Sequence, residues 1–197
     1  LIRRQRQDVY KRQVDTNSYN SYNVSRAKQL LAEAGYPNGF DMTIKVPSNY
    51  TFHMETAQVV AEQLKAAGIN AKIEGIEWSS WLSDVYANRD YQATICALTA
   101  DLTPSSLLVR FTSGYSKNFV NFSDAEYDKV YAEAQASLDD NVRKEKYAKL
   151  QQILAEKEGS VFIQAAALLV AKNKGIAGYK FYPVYVQDMS TVYYIKK

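Results

Sequence analysis

Two residue types limit the chemistry this 197-residue chain can attempt: it holds one histidine, His53, and one cysteine, Cys96. A Ser-His-Asp or Cys-His nucleophile needs an imidazole as its base, so either would have to be built on His53. That residue falls between Phe52 and Met54 in the first turn of a predicted helix, where a solvated or capping imidazole is expected. The Gly-x-Ser-x-Gly elbow that would present a serine nucleophile does not occur. A zinc site would need carboxylates beside one Cys and one His, and none stand at ligand spacing to His53. Cys96 lies in the apolar run Ala93–Leu98, which reads as a buried, inert thiol, and one cysteine cannot form an internal disulfide. Gly-x-Gly-x-x-Gly and Walker-type loops do not occur either, so nothing supports a nucleotide cofactor. The carboxylate pair Asp139/Asp140 is explained by its place at a helix N-terminus. The residues therefore predict no metal, no cofactor and no enzyme, and binding is the default.

Charge narrows the partners. The opening stretch LIRRQRQDVYKRQ sets Arg3, Arg4, Arg6, Lys11 and Arg12 against Asp8, a local +4, so the rest of the chain carries −1 of the formal +3. A near-neutral body gives no reason to expect nucleic acid. Residues 1–16 have no apolar period and are expected to be a disordered or non-native leader. No apolar run approaches the ~18 residues of a membrane span. The leader lacks the apolar centre of a signal peptide, so export would rest on a signal upstream of this chain.

The elements that must position any site follow from periodicity. Asn23 can cap a helix to about Ala34, which Gly35 stops before the turn Tyr36-Pro37-Asn38-Gly39. Phe40–Val46 alternates as a strand, and a helix from about Phe52 to Ala67 ends at Gly68. Ile69–Ile76 is the next strand, and Trp78–Asn88 reads as a helix with Trp78, Trp81, Leu82 and Val85 inward. Tyr91–Leu98, almost wholly apolar, reads as a central strand buried on both faces. Pro104 opens a short helix. Ser123 to Glu126 has the form of a capping box ahead of a helix with Tyr127, Val130, Tyr131, Ala134 and Leu138 on one face. Asp139 or Asp140 caps another helix to about Lys157, and the two helices pair as a hairpin. Val161–Ala171 is predicted as a strand and Gly175–Lys197 as an extended tail. Strands alternating with helices predict an α/β domain with a mostly parallel or mixed sheet.

Several of these segments also resemble a known family. The stretch Ser25 to Phe40, SRAKQLLAEAGYPNGF, closely resembles a motif of the bacterial extracellular solute-binding proteins of family 5, as do Ala61 to Glu74, AEQLKAAGINAKIE, and Glu77-Trp78. Asp90-Tyr91 before the apolar run and Ala100-Asp101 after it match the segment that enters the family's cleft. Asn121 to Asp128 and Asp139 to Tyr147, with Arg143, are similar to two further motifs, so the resemblance covers roughly residues 17 to 197. It implies a periplasmic-binding-protein-like fold (type II, class C) of two lobes closing on ligand. This chain would supply the C-terminal lobe, residues 17–174, and a tail, 175–197, crossing back toward an N-terminal lobe that is absent here. The implied protein is extracytoplasmic, in the periplasm or as a cell-surface lipoprotein. It would act as a monomer that captures peptides and delivers them to an ABC permease.

The resemblance also implies the site. Asp101 would pair with the α-amino group of a peptide, and the cleft strand, through the backbone at Ala97 and Thr99, would pair with the peptide main chain like an added strand. Leu98 stands where the family often has Trp, and the usual aromatic-Pro-Asp-Pro run is reduced to Leu102-Thr103-Pro104. That altered wall keeps a sugar, haem or metallophore open as ligand on the same fold, and a non-transport sensor open as the role.

Overall fold

The computed structural model describes residues 14, 21–99, 103–163, 170–181 and 188–195. The expected leader therefore lies, Val14 apart, outside the described residues, and so does Asp101. The chain divides into two compact units; residues 21–99 and 110–124 belong to one, and 103–109 with the segments from 125 onward to the other.

The first unit is built from local signals that the sequence carries openly. α1, Val24–Glu33, starts where the Asn23 side chain accepts from the Arg26 N–H, and ends in a Schellman closure, with Gly35 donating to Ala32 O and Tyr36 to Leu31 O. β1, Phe40–Pro47, runs parallel to β2, Ile69–Ile76, from Phe40↔Ile69 to Pro47↔Ile76. Between them α2, Thr51–Ala67, is stopped by Gly68 at φ +100. The turn into β1 needs Gly39 for a tertiary reason: a Cβ there would lie 1.8 Å from the Gly68 carbonyl oxygen. Two motif glycines thus meet back to back and set where the β1–β2 ladder begins.

Strand order is β2-β1-β3, with both pairings parallel. The central strand among the described residues is β1, whose Ile44 and Val46 are fully buried against Ala57 of α2. This corrects the expectation for Tyr91–Leu98. Only β3, Ala93–Thr94, is laddered there, at the edge opposite β2. The apolar run does bury both ways as far as Cys96: Ala93 and Ile95 pack on the α2 side, Cys96 on a second core of Trp81, Val85 and Phe119. Its partner β1 stops at Pro47, which has no N–H to continue a ladder.

The predicted helix at 78–88 forms as α3, Trp78–Ser80, continuing as a π-helix, Trp81–Ala87. Trp81 stacks on Trp78 (centroids 5.0 Å, planes 5° apart) and meets Phe119 edge-on. With i→i+5 bonding the buried face recurs at wider spacing than in an α-helix, so Trp81 and Val85 are inside while Leu82, expected inward, is 40% exposed. Arg89, at φ 60, ends the helix and donates to the carbonyls of Tyr86, Ala87, Ser116 and Asn118, tying the following loop to the π-turn.

In the second unit α4, Pro104–Leu108, starts on its proline. α5, Ala125–Ala136, and α6, Asp140–Glu156, form the predicted hairpin. Its antiparallel sense is visible in the ion pairs Glu133–Lys146 (2.6 Å) and Glu126–Lys149 (3.3 Å). Asp139 caps α6 through bonds from the Asn141 and Val142 N–H groups. Tyr127, Val130 and Ala134 are buried as expected, and the Tyr127 hydroxyl donates to the Leu108 carbonyl at 2.7 Å. Leu138 is not: α5 ends two residues earlier, and the side chain is 97% exposed. The strand predicted at Val161–Ala171 does not form in its described part. Val161, Phe162 and Ile163 are exposed and outside any ladder, as are Val170 and Ala171, and 164–169 lie outside the described residues. The tail carries a short antiparallel pair, β4, Ile176–Ala177, with β5, Tyr193–Tyr194.

A candidate ligand-binding segment

The segment that leads to Asp101 is held firmly until it leaves the sheet. The Lys45 ammonium donates to the Asp90 carbonyl (2.7 Å) and carboxylate (2.8 Å), and that contact raises the Lys45 pKa. Gln92 accepts from the Thr43 N–H, and the Tyr91 hydroxyl donates to Phe119 O. At β3 the Thr94 hydroxyl donates to Lys45 O at 2.7 Å and accepts from the Trp81 indole N–H at 2.9 Å. The neighbouring element on each face therefore grips Thr94.

Beyond Thr94 the β1–β3 ladder ends. The next fixed point is the Ala97 N–H, which donates to His53 Nε2 at 2.9 Å. The parallel sheet explains the meeting: α2 follows β1, so its first turn stands at the C-terminal ends of the strands, beside the continuation of β3. His53 is buried, 5% exposed, with the Tyr50 ring 5.2 Å and the Phe52 ring 4.0 Å away between centroids. Burial lowers its pKa, and accepting at Nε2 leaves the proton on Nδ1, which has no hydrogen-bond partner among the described residues. The expectation of a solvated or capping histidine is thus corrected. The sequence signal was the helix-first-turn position itself, which in a βα unit faces the strand ends.

Of the residues expected in the site, Ala97, Leu98 and Thr99 are described and all three are exposed, Leu98 by 40%. They emerge together from an apolar run that is half-buried up to Cys96. Of the Ala97 backbone, which the resemblance assigns to a ligand, the N–H is engaged by His53 here. Cys96 is half-buried, and burial pushes its thiol up to about 11, far from a nucleophile's range. Among the described residues there is no cluster of three or more His, Cys, Asp or Glu that could hold a metal, and no helix long and apolar enough to cross a membrane.

An open concavity of about 380 Å³ in the same unit is lined by Arg89, Ser113, Tyr115, Asn118 and Ser123. Asn118, 6% exposed, donates there to Thr112 O and Phe122 O. Arg89 and Asn118 are largely occupied in folding the loop that forms this wall.

Comparison with known proteins places this geometry. Residues 6–119 match the family described as bacterial extracellular solute-binding proteins, family 5 Middle. The oligopeptide-binding protein AppA of Bacillus subtilis is 29% identical over 189 residues, covering 88% of this chain and 35% of that protein. The periplasmic oligopeptide-binding protein OppA of Salmonella typhimurium is 32% identical over 131 residues, 65% of this chain and 24% of that protein. Among solved structures, DppA of Helicobacter pylori in complex with the peptide STSA superposes with a TM-score of 0.70 at 24% identity, over 89% of this chain and 35% of that one. AppA of B. subtilis in complex with a nonapeptide gives 0.69 at 24%, over 89% and 38%. The fold is therefore that of the periplasmic peptide-binding proteins, and the chain spans about a third of the length of the curated relatives it matches. The match over more than half of its residues places this chain among the bacterial extracellular solute-binding proteins of family 5.

Proposed function

We propose that the chain is part of the substrate-binding component of an ABC importer and that its ligand is a peptide. The observation that carries this reading is the emergence of Ala97–Thr99, exposed and off the ladder, immediately before Ala100-Asp101. An exposed segment off the ladder can take a peptide main chain as an added strand through backbone groups other than the Ala97 N–H that His53 holds, which reads no side chains and suits mixed peptides. Asp101 supplies the counter-charge for the α-amino group; an ammonium withdrawn from water needs such a partner. The relatives named as oligopeptide- and dipeptide-binding proteins support the ligand class. In this reading residues 17–174 belong to the ligand-binding lobe and 175–197 cross back toward the other lobe. The whole protein is an extracytoplasmic monomer, with ABC permease subunits as its membrane partner and no catalytic role.

The test is calorimetric titration of the whole protein with a set of peptides, free and N-acetylated, before and after Asp101→Asn. Tight binding of free peptides, weakened about tenfold or more by acetylation and by the substitution, supports the reading. Equal affinity for free and acetylated peptides removes Asp101 from the anchor role. Leu98 in the place of the family's frequent Trp favours a second reading, a non-peptide solute on the same fold; mass spectrometry of ligand carried through purification decides between them.

A further inference from the structure

We infer that His53 is a positioning residue for the binding segment: its neutral imidazole, through Nε2, fixes where residues 97–99 leave the sheet. The inference rests on the peptide-binding reading only for its functional consequence.

The need arises from what stands beside the segment. Past Thr94, β1 no longer offers a ladder, because it turns at Pro47 through Ser48 and Asn49 into α2. A helix N-terminus presents N–H donors and no free carbonyls. A strand N–H aimed at that turn therefore meets donors, and it requires a side-chain acceptor placed within the turn. His53 is that acceptor. The same setting keeps it neutral, since burial opposes a proton on Nε2.

The orphaned Nδ1–H separates this role from mere core packing. A leucine has comparable bulk and no donor to leave unsatisfied, so an imidazole whose buried N–H has no partner among the described residues is a poor way to fill space. Its hydrogen bond to Ala97 links the binding segment to α2, while the rings of Tyr50 and Phe52 hold its plane.

Two variants of the whole protein test this. His53→Gln keeps an acceptor at the end of a side chain of similar reach; His53→Leu removes it. Three readouts are taken: hydrogen exchange of the fragment containing 95–99, 15N shifts of labelled histidine, and peptide affinity. In the parent, the His53 signal should show an unprotonated Nε2 and a protonated Nδ1. His53→Leu should speed exchange at Ala97 and weaken peptide binding, each about tenfold, the size of one such hydrogen bond, while thermal stability holds or rises. His53→Gln should restore most of both. Unchanged or tighter binding in a folded His53→Leu variant, or a protonated Nε2 in the parent, overturns the inference. If the parent binds no peptide, the peptide reading fails by itself, and the exchange and 15N results still decide the positioning role.

Discussion

Replacing Gly39 by alanine would put a methyl carbon 1.8 Å from the carbonyl oxygen of Gly68, where real contacts of this kind stay beyond 3.0 Å. The two backbones would have to part by more than an ångström at the point where Phe40 and Ile69 make the first β1–β2 rung. Gly35 supplies the internal control. It also has positive φ, +89 against +74 for Gly39, but among the described residues nothing beyond its immediate chain neighbours lies within 4 Å of the Cβ it would gain. Gly35→Ala should therefore cost only the left-handed backbone, about 1–2 kcal/mol. Gly39→Ala adds overpacking of about 1–3 kcal/mol and should cost about 2–5 kcal/mol in all. Trp78 and Trp81 lie in the same unit as both glycines, so tryptophan fluorescence during urea unfolding reads the relevant transition. With a slope of about 2 kcal/mol per molar, the midpoint should fall by about 1–2.5 M for Gly39→Ala and by no more than about 1 M for Gly35→Ala. Equal shifts for the two would refute the back-to-back packing of Gly39 on Gly68.

Tyr127→Phe should destabilise the α5–α6 unit by about 1–3 kcal/mol, because the Leu108 carbonyl would lose its buried donor; a change below about 0.3 kcal/mol in urea unfolding would show that the bond contributes nothing. Acid should act through His53. Its folded pKa lies below the ordinary 6.5, so above that pH folded and unfolded forms are both neutral and stability does not depend on it. As pH falls through 6.5 the unfolded imidazole binds a proton that the folded one refuses, and stability declines until the folded pKa is passed, by at most about 1.4 kcal/mol per pH unit. The difference between stability–pH curves of the parent and His53→Gln isolates this loss; parallel curves through that window contradict a buried, depressed histidine.

Much of the fold was legible because its signals are local. Asn23 and Asp139 cap helices through bonds to N–H groups two or three residues on, and Gly35 and Gly68 stop helices by a backbone conformation that needs no distant partner. The alternation in Phe40–Val46 and Ile69–Ile76 records one buried face each, which is enough to recognise a strand. The ordered motifs carried the family as well. What periodicity could not decide is who lies next to whom. The apolar run 91–98 encodes burial, but the ladder length was set by where β1 turns at Pro47, and the central place fell to β1 because it pairs on both edges. Leu82 and Leu138 kept apolar spacing, yet a π-turn moved the first outward and the end of α5 released the second. His53 shows the limit most clearly. Its sequence neighbours describe only a helix start, whereas its burial and its hold on Ala97 arise from the parallel sheet, which brings the start of α2 to the end of β3 across 44 residues of chain.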